Sequence, residues 1–149
     1  MYKEQLVAVN ECKNAGDNCE LAIRRHFGCK PDGHDSKAYN IDSDCNFGNM
    51  HMRVMGSKFT LMSAKFCKGC ETFDDIWNRF ESDVHSNTFV YVTVDFTAYF
   101  MNIVEFKALV YAFGHVDRES TKNGGGKKIR FAEESKKVRN WLESRAEVA

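Results

Sequence analysis

Proline is almost missing from this chain of 149 residues; the one present is Pro31. A thioredoxin-like redox fold needs a cis-proline after its CxxC pair, and none follows Cys67-Lys68-Gly69-Cys70. Long apolar runs are lacking too. The N-terminal stretch MYKEQLVAVNECK is broken by charge, so it reads as neither a signal peptide nor a membrane span. The expectation is a cytoplasmic protein without a membrane partner. Net charge is also absent: Lys plus Arg and Asp plus Glu each total 21. That excludes a polyanionic DNA mimic and a histone-like polycation. The six cysteines, at positions 12, 19, 29, 45, 67 and 70, have irregular spacing that does not suit a disulfide framework, and they are expected to be reduced. There is no P-loop, no dinucleotide fingerprint and no Ser–His–Asp set, since Ser36, Ser43, Ser57 and Ser63 sit in ordinary polar surroundings.

What is present is enough apolar sequence for one domain, 1–149, with a core of its own. The charge is unevenly placed. From Arg118 to Ala149 nine basic residues face five acidic ones, a surplus of four. Such a bias fits either a polyanion partner or a solvated terminal helix.

Periodicity divides the chain into ten segments. Lys3–Lys13 is expected to be a helix with Leu6, Val7, Val9 and Cys12 inward. Asp17 would cap a second helix, with Glu20 in capping-box spacing. Ala38–Ser43, Met50–Met55 and Lys58–Phe66 read as strands, and the turns between them suggest an antiparallel meander. Thr72 should cap a helix with Phe73, Ile76, Trp77 and Phe80 on one face. Thr88–Asp95 is the strongest strand, apolar enough to be buried on both faces. Asn102, with Glu105 three residues on, should cap a helix ending at Gly114. Lys127–Phe131 is a short basic strand, and a last helix covers about Ala132–Arg145. The fold class is α/β, with a mixed central sheet flanked by helices.

The stretch from Asn40 to Leu61, NIDSDCNFGNMHMRVMGSKFTL, together with Glu20 in NCELAIRRHFG, resembles the PD-(D/E)XK nuclease superfamily over about Asp17–Val94. The resemblance implies a restriction-endonuclease-like core: a helix bearing a glutamate, a three-strand meander, a helix and a further strand. It implies Glu20 as the helical glutamate and Asp44 as the metal-binding aspartate, holding Mg²⁺ that activates water at a phosphate. Arg53 and Met55 stand where the family carries a carboxylate and a lysine. An arginine there repels a metal, and a methionine moves no proton. Lys58 is the candidate for a displaced lysine, with His34, Asp35, Asp42 and His51 as replacement ligands. The expected function is therefore a nuclease-like protein with a decayed metal site and no cofactor. It would bind nucleic acid, or a protein that handles nucleic acid, without cleavage, as a phage inhibitor of a host nuclease or CRISPR effector would. Arg53 would hold a phosphate directly. An active Mg²⁺-dependent DNA endonuclease using Glu20, Asp44 and Lys58, and a non-catalytic protein-interaction module, are the other two readings. A homodimer suits such a fold acting on duplex DNA.

Three further features carry weaker signals. Lys122, Lys127, Lys128 and Arg130 flank Asn123-Gly124-Gly125-Gly126, where cations and flexible backbone suit phosphate contact. The same residues also suit a solvated hairpin. Cys67 and Cys70 supply two thiols where zinc needs four ligands, so a zinc site would have to recruit Cys29, Cys45 or His51. The simpler reading is a turn with two reduced thiols. Met50, Met52, Met55 and Met62 cluster around the proposed meander, either as core filling or as an adaptable contact surface.

Overall fold

The TFVYV stretch is apolar on both sides of its alternation, and such a strand needs cover on both faces. The computed structural model of the chain supplies that cover. It describes residues 1–13, 15–26, 50–54, 59–61, 67–84, 88–118, 127–131 and 135–146. The described elements are β1 (Tyr2–Gln5), α1 (Ala15–His26), β2 (Met50–Val54), β3 (Phe59–Thr60), α2 (Phe73–Asp83) and β4 (Thr88–Val92), followed by β5 (Thr97–Met101), α3 (Ile103–Phe113), β6 (Gly114–Arg118), β7 (Lys127–Phe131) and α4 (Lys136–Arg145). The architecture is mixed α/β. One sheet has the order β1-β5-β4-β2 and a second has the order β3-β7-β6.

In the first sheet β1, β5 and β4 pair antiparallel, while β2 runs parallel to β4. The second sheet is antiparallel throughout. The pleat of β4 divides its side chains between two cores. Phe89 and Tyr91 join Tyr99, Met101, Trp77, Phe80, Phe106 and Leu142. Val90 and Val92 join Leu6, Val9, Cys19, Ala22, Ile23 and Ala98. At about 1.5–3 kcal/mol for each fully buried large apolar side chain, these two clusters are the main favourable contribution to folding. Phe89 and Phe106 stack with centroids 4.7 Å apart and planes 6° from parallel.

The helices begin where the sequence marks them. In α2 the Thr72 side chain accepts from the Asp75 N–H, and the Asp75 carboxylate accepts from the Thr72 N–H. In α3, Asn102 and Glu105 exchange the same pair of bonds. Reciprocal capping of this kind satisfies backbone donors that a helix start otherwise leaves open. Gly114 closes α3 and opens β6. A Cβ there would lie 2.7 Å from the Val110 carbonyl oxygen and 2.9 Å from Ile129 Cγ2, so only glycine fits between helix and strand.

Four expectations are corrected. Lys3–Lys13 is not a helix: its start is β1, bonded to the edge of β5, and Val7 is 86 % exposed rather than inward. The pairing surface of β5 overrides the helix-forming residues Lys3, Glu4 and Gln5. Asp17 does not cap α1, which begins at Ala15; Asp17 lies in its first turn. Just before that helix, Glu11 and Cys12 N–H groups donate to the Asn18 amide oxygen and tie the incoming chain to the helix. β2 and β3 do not form a hairpin. They enter different sheets, because β4 takes β2 as a parallel partner and β7 takes β3. Parallel neighbours need a crossover, and α2 lies within the connection from β2 to β4. Finally, the strand read as Thr88–Asp95 ends at Val92 and turns into β5, and β6 follows α3 directly. The expected strand at Ala38–Ser43 lies outside the described residues.

Candidate functional site

Glu20 sits half-buried on α1, and α1 packs against β2, the strand that carries Arg53. In β2 the backbone of Arg53 lies opposite Tyr91 of β4. The fold therefore brings the helix and the strand of the expected site together. Asp44, Lys58, Met55, His34, Asp35 and Asp42 lie outside the described residues, as does Lys122. Among the described residues no group of three or more His, Cys, Asp or Glu side chains could hold a metal ion. Among the described candidate ligands Glu20, on α1, is the one carboxylate, and His51, on β2, is the one histidine.

One turn beyond Glu20, Arg24 is only 3 % exposed, and among the described residues its Nε has no hydrogen-bond partner. Burying a guanidinium carries a desolvation cost, so this side chain places positive charge inside the α1 region rather than on its surface. The next two basic residues of that helix are matched. Arg25 pairs with Glu11 and His26 with Glu4. The Arg25 guanidinium holds the Glu11 carboxyl below its ordinary range.

The basic strand β7 behaves differently from its sequence. Lys127 Nζ lies 2.9 Å from the Glu71 carboxylate and also donates to the Glu71 carbonyl. Arg130 lies 3.1 Å from Asp117. Lys128 is 5 % exposed. The reason is topological. β7 is the middle strand of its sheet, which sets Arg130 beside Asp117 of β6, and α2 packs against it, which brings Glu71, just before α2, to Lys127. Sequence shows the cations but not the carboxylates that fold brings opposite them.

Helix α4 presents the contrary arrangement. Val138 and Leu142 anchor it in the core, and Ser135 caps it by accepting from the Val138 N–H. Lys136, Lys137 and Arg139 are exposed. The Arg145 guanidinium stacks 4.0 Å over the Trp141 ring and donates to the Trp141 carbonyl. A flat cation on an aromatic ring is held in place while its remaining donors stay available. This basic surface was legible only as a charge surplus, because the sequence does not say which cations the fold neutralises.

Cys67-Lys68-Gly69-Cys70 is a turn. The Cys70 N–H donates to the Cys67 carbonyl at 3.0 Å, and Gly69 has φ 83°, the left-handed conformation that favours glycine. Neither cysteine is in a disulfide, and both are buried. Burial, and then the neighbouring Cys70, push the Cys67 thiol up to about 11, which makes it a poor nucleophile near neutral pH. Beside the turn, Gly69, Cys70, Asp75, Asn78, Arg79 and Ser82 line an open concavity of about 350 Å³. Its carboxylate, Asp75, is already engaged in capping α2; bonds from the Glu71 and Thr72 N–H groups lower its pKa.

Compared with models of known families, with curated proteins and with solved structures, the chain gives no match in any of the three.

Proposed function

We propose that this protein binds nucleic acid without cleaving it, through the exposed face of α4. The observation that carries the reading is the partition of the C-terminal cations. Lys127 and Arg130 are held by Glu71 and Asp117, whereas Lys136 and Lys137 face solvent in the first turn of α4. Such adjacent cations meet phosphates and release counterions on binding. A nuclease-like ancestry is part of the same proposal, supported by the packing of the Glu20 helix on the Arg53 strand. A guanidinium in place of a metal ligand would contact phosphate directly. Inhibition of a nuclease or CRISPR effector by a phage product is one setting that suits a non-cleaving binder, by analogy alone.

The test is fluorescence anisotropy of labelled single-stranded and duplex DNA over a series of salt concentrations, with wild type and Lys136→Glu/Lys137→Glu. Expected is salt-sensitive binding that the double variant weakens by about tenfold or more, with a salt slope smaller by roughly two. Equal binding by the variant would remove α4 from the interface. Incubation of the same DNAs with Mg²⁺ or Mn²⁺ should leave them intact. Metal-dependent cutting abolished by Asp44→Ala would establish the endonuclease reading instead.

The internal pairing of Lys127 and Arg130 favours a second reading, a protein-interaction module without nucleic-acid contact. Failure to bind DNA or RNA at any salt concentration would select it.

A further inference from the structure

Given that α4 binds nucleic acid as proposed above, we infer that its ligand is a single strand, and that an unpaired base of that strand stacks on the Arg145 guanidinium. Four residues make a little more than one helical turn. Lys137, Trp141 and Arg145 therefore lie in a row on α4, each about 6 Å further along the axis. Lys137 and Arg145 are exposed, and Trp141 between them is half-buried. The row presents a cation, an indole and a guanidinium on a helix whose inner side is anchored by Val138 and Leu142.

The platform is built before any ligand arrives. Trp141 packs against the first core cluster and meets the Phe113 ring edge-on, with centroids 6.1 Å apart and planes at 85°. The Arg145 Cζ sits 4.0 Å over the indole, the separation of a stacked guanidinium. Arg145 Nη1 donates to the Trp141 carbonyl at 3.3 Å and to the Ser144 hydroxyl at 3.1 Å, which fixes the fork at one corner. The Nε and Nη2 donors are not used by these bonds. A planar group has two faces. One covers the indole, and the other belongs to an exposed side chain and is open to a second flat partner.

Unpaired bases are the partners that stack on arginine planes. In a duplex each base is covered on both faces by its neighbours in the stack, so a protein meets only base edges and phosphates. Lysines by themselves serve either form. The platform two turns beyond the lysines is what selects the single strand, with phosphates at Lys136 and Lys137 and a base at Arg145. Glu143 does not intrude on the row. It is two residues from both Trp141 and Arg145, so it lies on another face, where Lys3 and Tyr99 hold it. Lys107 on α3 also lies over an aromatic ring, 5.6 Å from the centroid of Tyr111. The Tyr111 hydroxyl donates to the Asp74 carboxylate, which places an anion beside that pair and makes it a poor phosphate site.

Fluorescence anisotropy with three labelled DNA probes provides the test: a mixed-sequence strand, the same strand annealed to its complement, and an abasic strand of equal length. The RNA version of the intact strand is measured beside them, and the tighter of the two polymers is the ligand. The variant is Arg145→Lys, which keeps the charge and removes the planar group. Wild type should bind the intact strand about tenfold more tightly than the abasic one at the same salt concentration, and more tightly than the duplex. Arg145→Lys should lose about fivefold or more on the intact strand, with little change on the abasic strand and the duplex and an unchanged salt slope. Its circular dichroism spectrum should match wild type, because Arg145 is exposed. If the variant does not fold, the comparison of intact and abasic strands in wild type decides. Equal binding of those two strands, or an equal loss on all three probes in Arg145→Lys, overturns the inference and leaves nucleic-acid binding by α4 standing. Absence of binding to every probe overturns both.

Discussion

The phenolic hydroxyl of Tyr99 on β5 donates to the carboxylate of Glu143 on α4, joining residues 44 positions apart. Glu143 also accepts from Lys3 Nζ of β1 at 2.7 Å. One carboxylate thus ties the last helix to two neighbouring strands of the first sheet. The Lys3 bond, and then the Tyr99 hydroxyl, hold its pKa below the usual carboxylate range.

That shift has a definite sign. A carboxyl whose folded pKa is depressed contributes stability above its unfolded pKa and loses it as pH falls through the folded one. Half of the Glu143 side chain is exposed, so solvent screening keeps the effect small. Glu143→Gln should lower stability by about 0.5–1 kcal/mol at neutral pH, and urea titrations should show the difference shrinking below about pH 4. A difference that persists undiminished at acid pH would assign the loss to packing.

Gly114→Ala tests the close approach between α3 and β6. The added Cβ would meet a backbone oxygen at 2.7 Å, which cannot rotate away. A loss of about 1–3 kcal/mol is expected in chemical denaturation, with the slope unchanged. A neutral substitution would mean that α3 and β6 separate easily.

Phe96 occupies the left-handed region, with φ 64°, at the end of the hairpin loop joining β4 to β5. It also packs against the second core cluster. Truncation removes the packing in either case, but alanine keeps the strained backbone while glycine relieves it. Phe96→Gly should therefore be more stable than Phe96→Ala by about 1 kcal/mol, reversing the order expected in an ordinary strand. Thermal melts of the two variants side by side check this.

Cys67 and Cys70 should resist alkylation in the native protein at pH 8. Both are buried, and the Cys67 thiol titrates only near 11. Cys12 is partly exposed and should react first of these three. Peptide mapping after timed iodoacetamide treatment distinguishes them, and urea should bring all three to a similar rate. Fast native labelling of Cys67 would show that the turn opens readily.

The legible parts of this molecule are those specified within four or five residues. Thr72 with Asp75 and Asn102 with Glu105 start α2 and α3, and Cys67-Lys68-Gly69-Cys70 makes its turn, because donor and acceptor are neighbours in the chain. The hairpin between β4 and β5 was not legible. Its turn contains no glycine, proline or asparagine, and is held instead by Phe96 in the left-handed region and by the Thr93 hydroxyl bonded to Asp95. The candidate site divides in the same way. Glu20 and the cations of β7 and α4 can be picked out by residue type, yet nothing local reveals that Glu71 and Asp117 neutralise two of them.

By itself, then, the sequence determined the capped starts of α2 and α3, a doubly buried strand beginning at Thr88 and the mixed α/β class, since propensity, capping and hydrophobic period are local properties. Tertiary structure alone decided the strand fate of Tyr2–Gln5, the separate sheets of β2 and β3, and which cations of the C-terminal third remain exposed. The physical reason is common to all three. A strand's backbone groups and a charge's countercharge are supplied by residues far along the chain, so their partners exist only once the fold has closed.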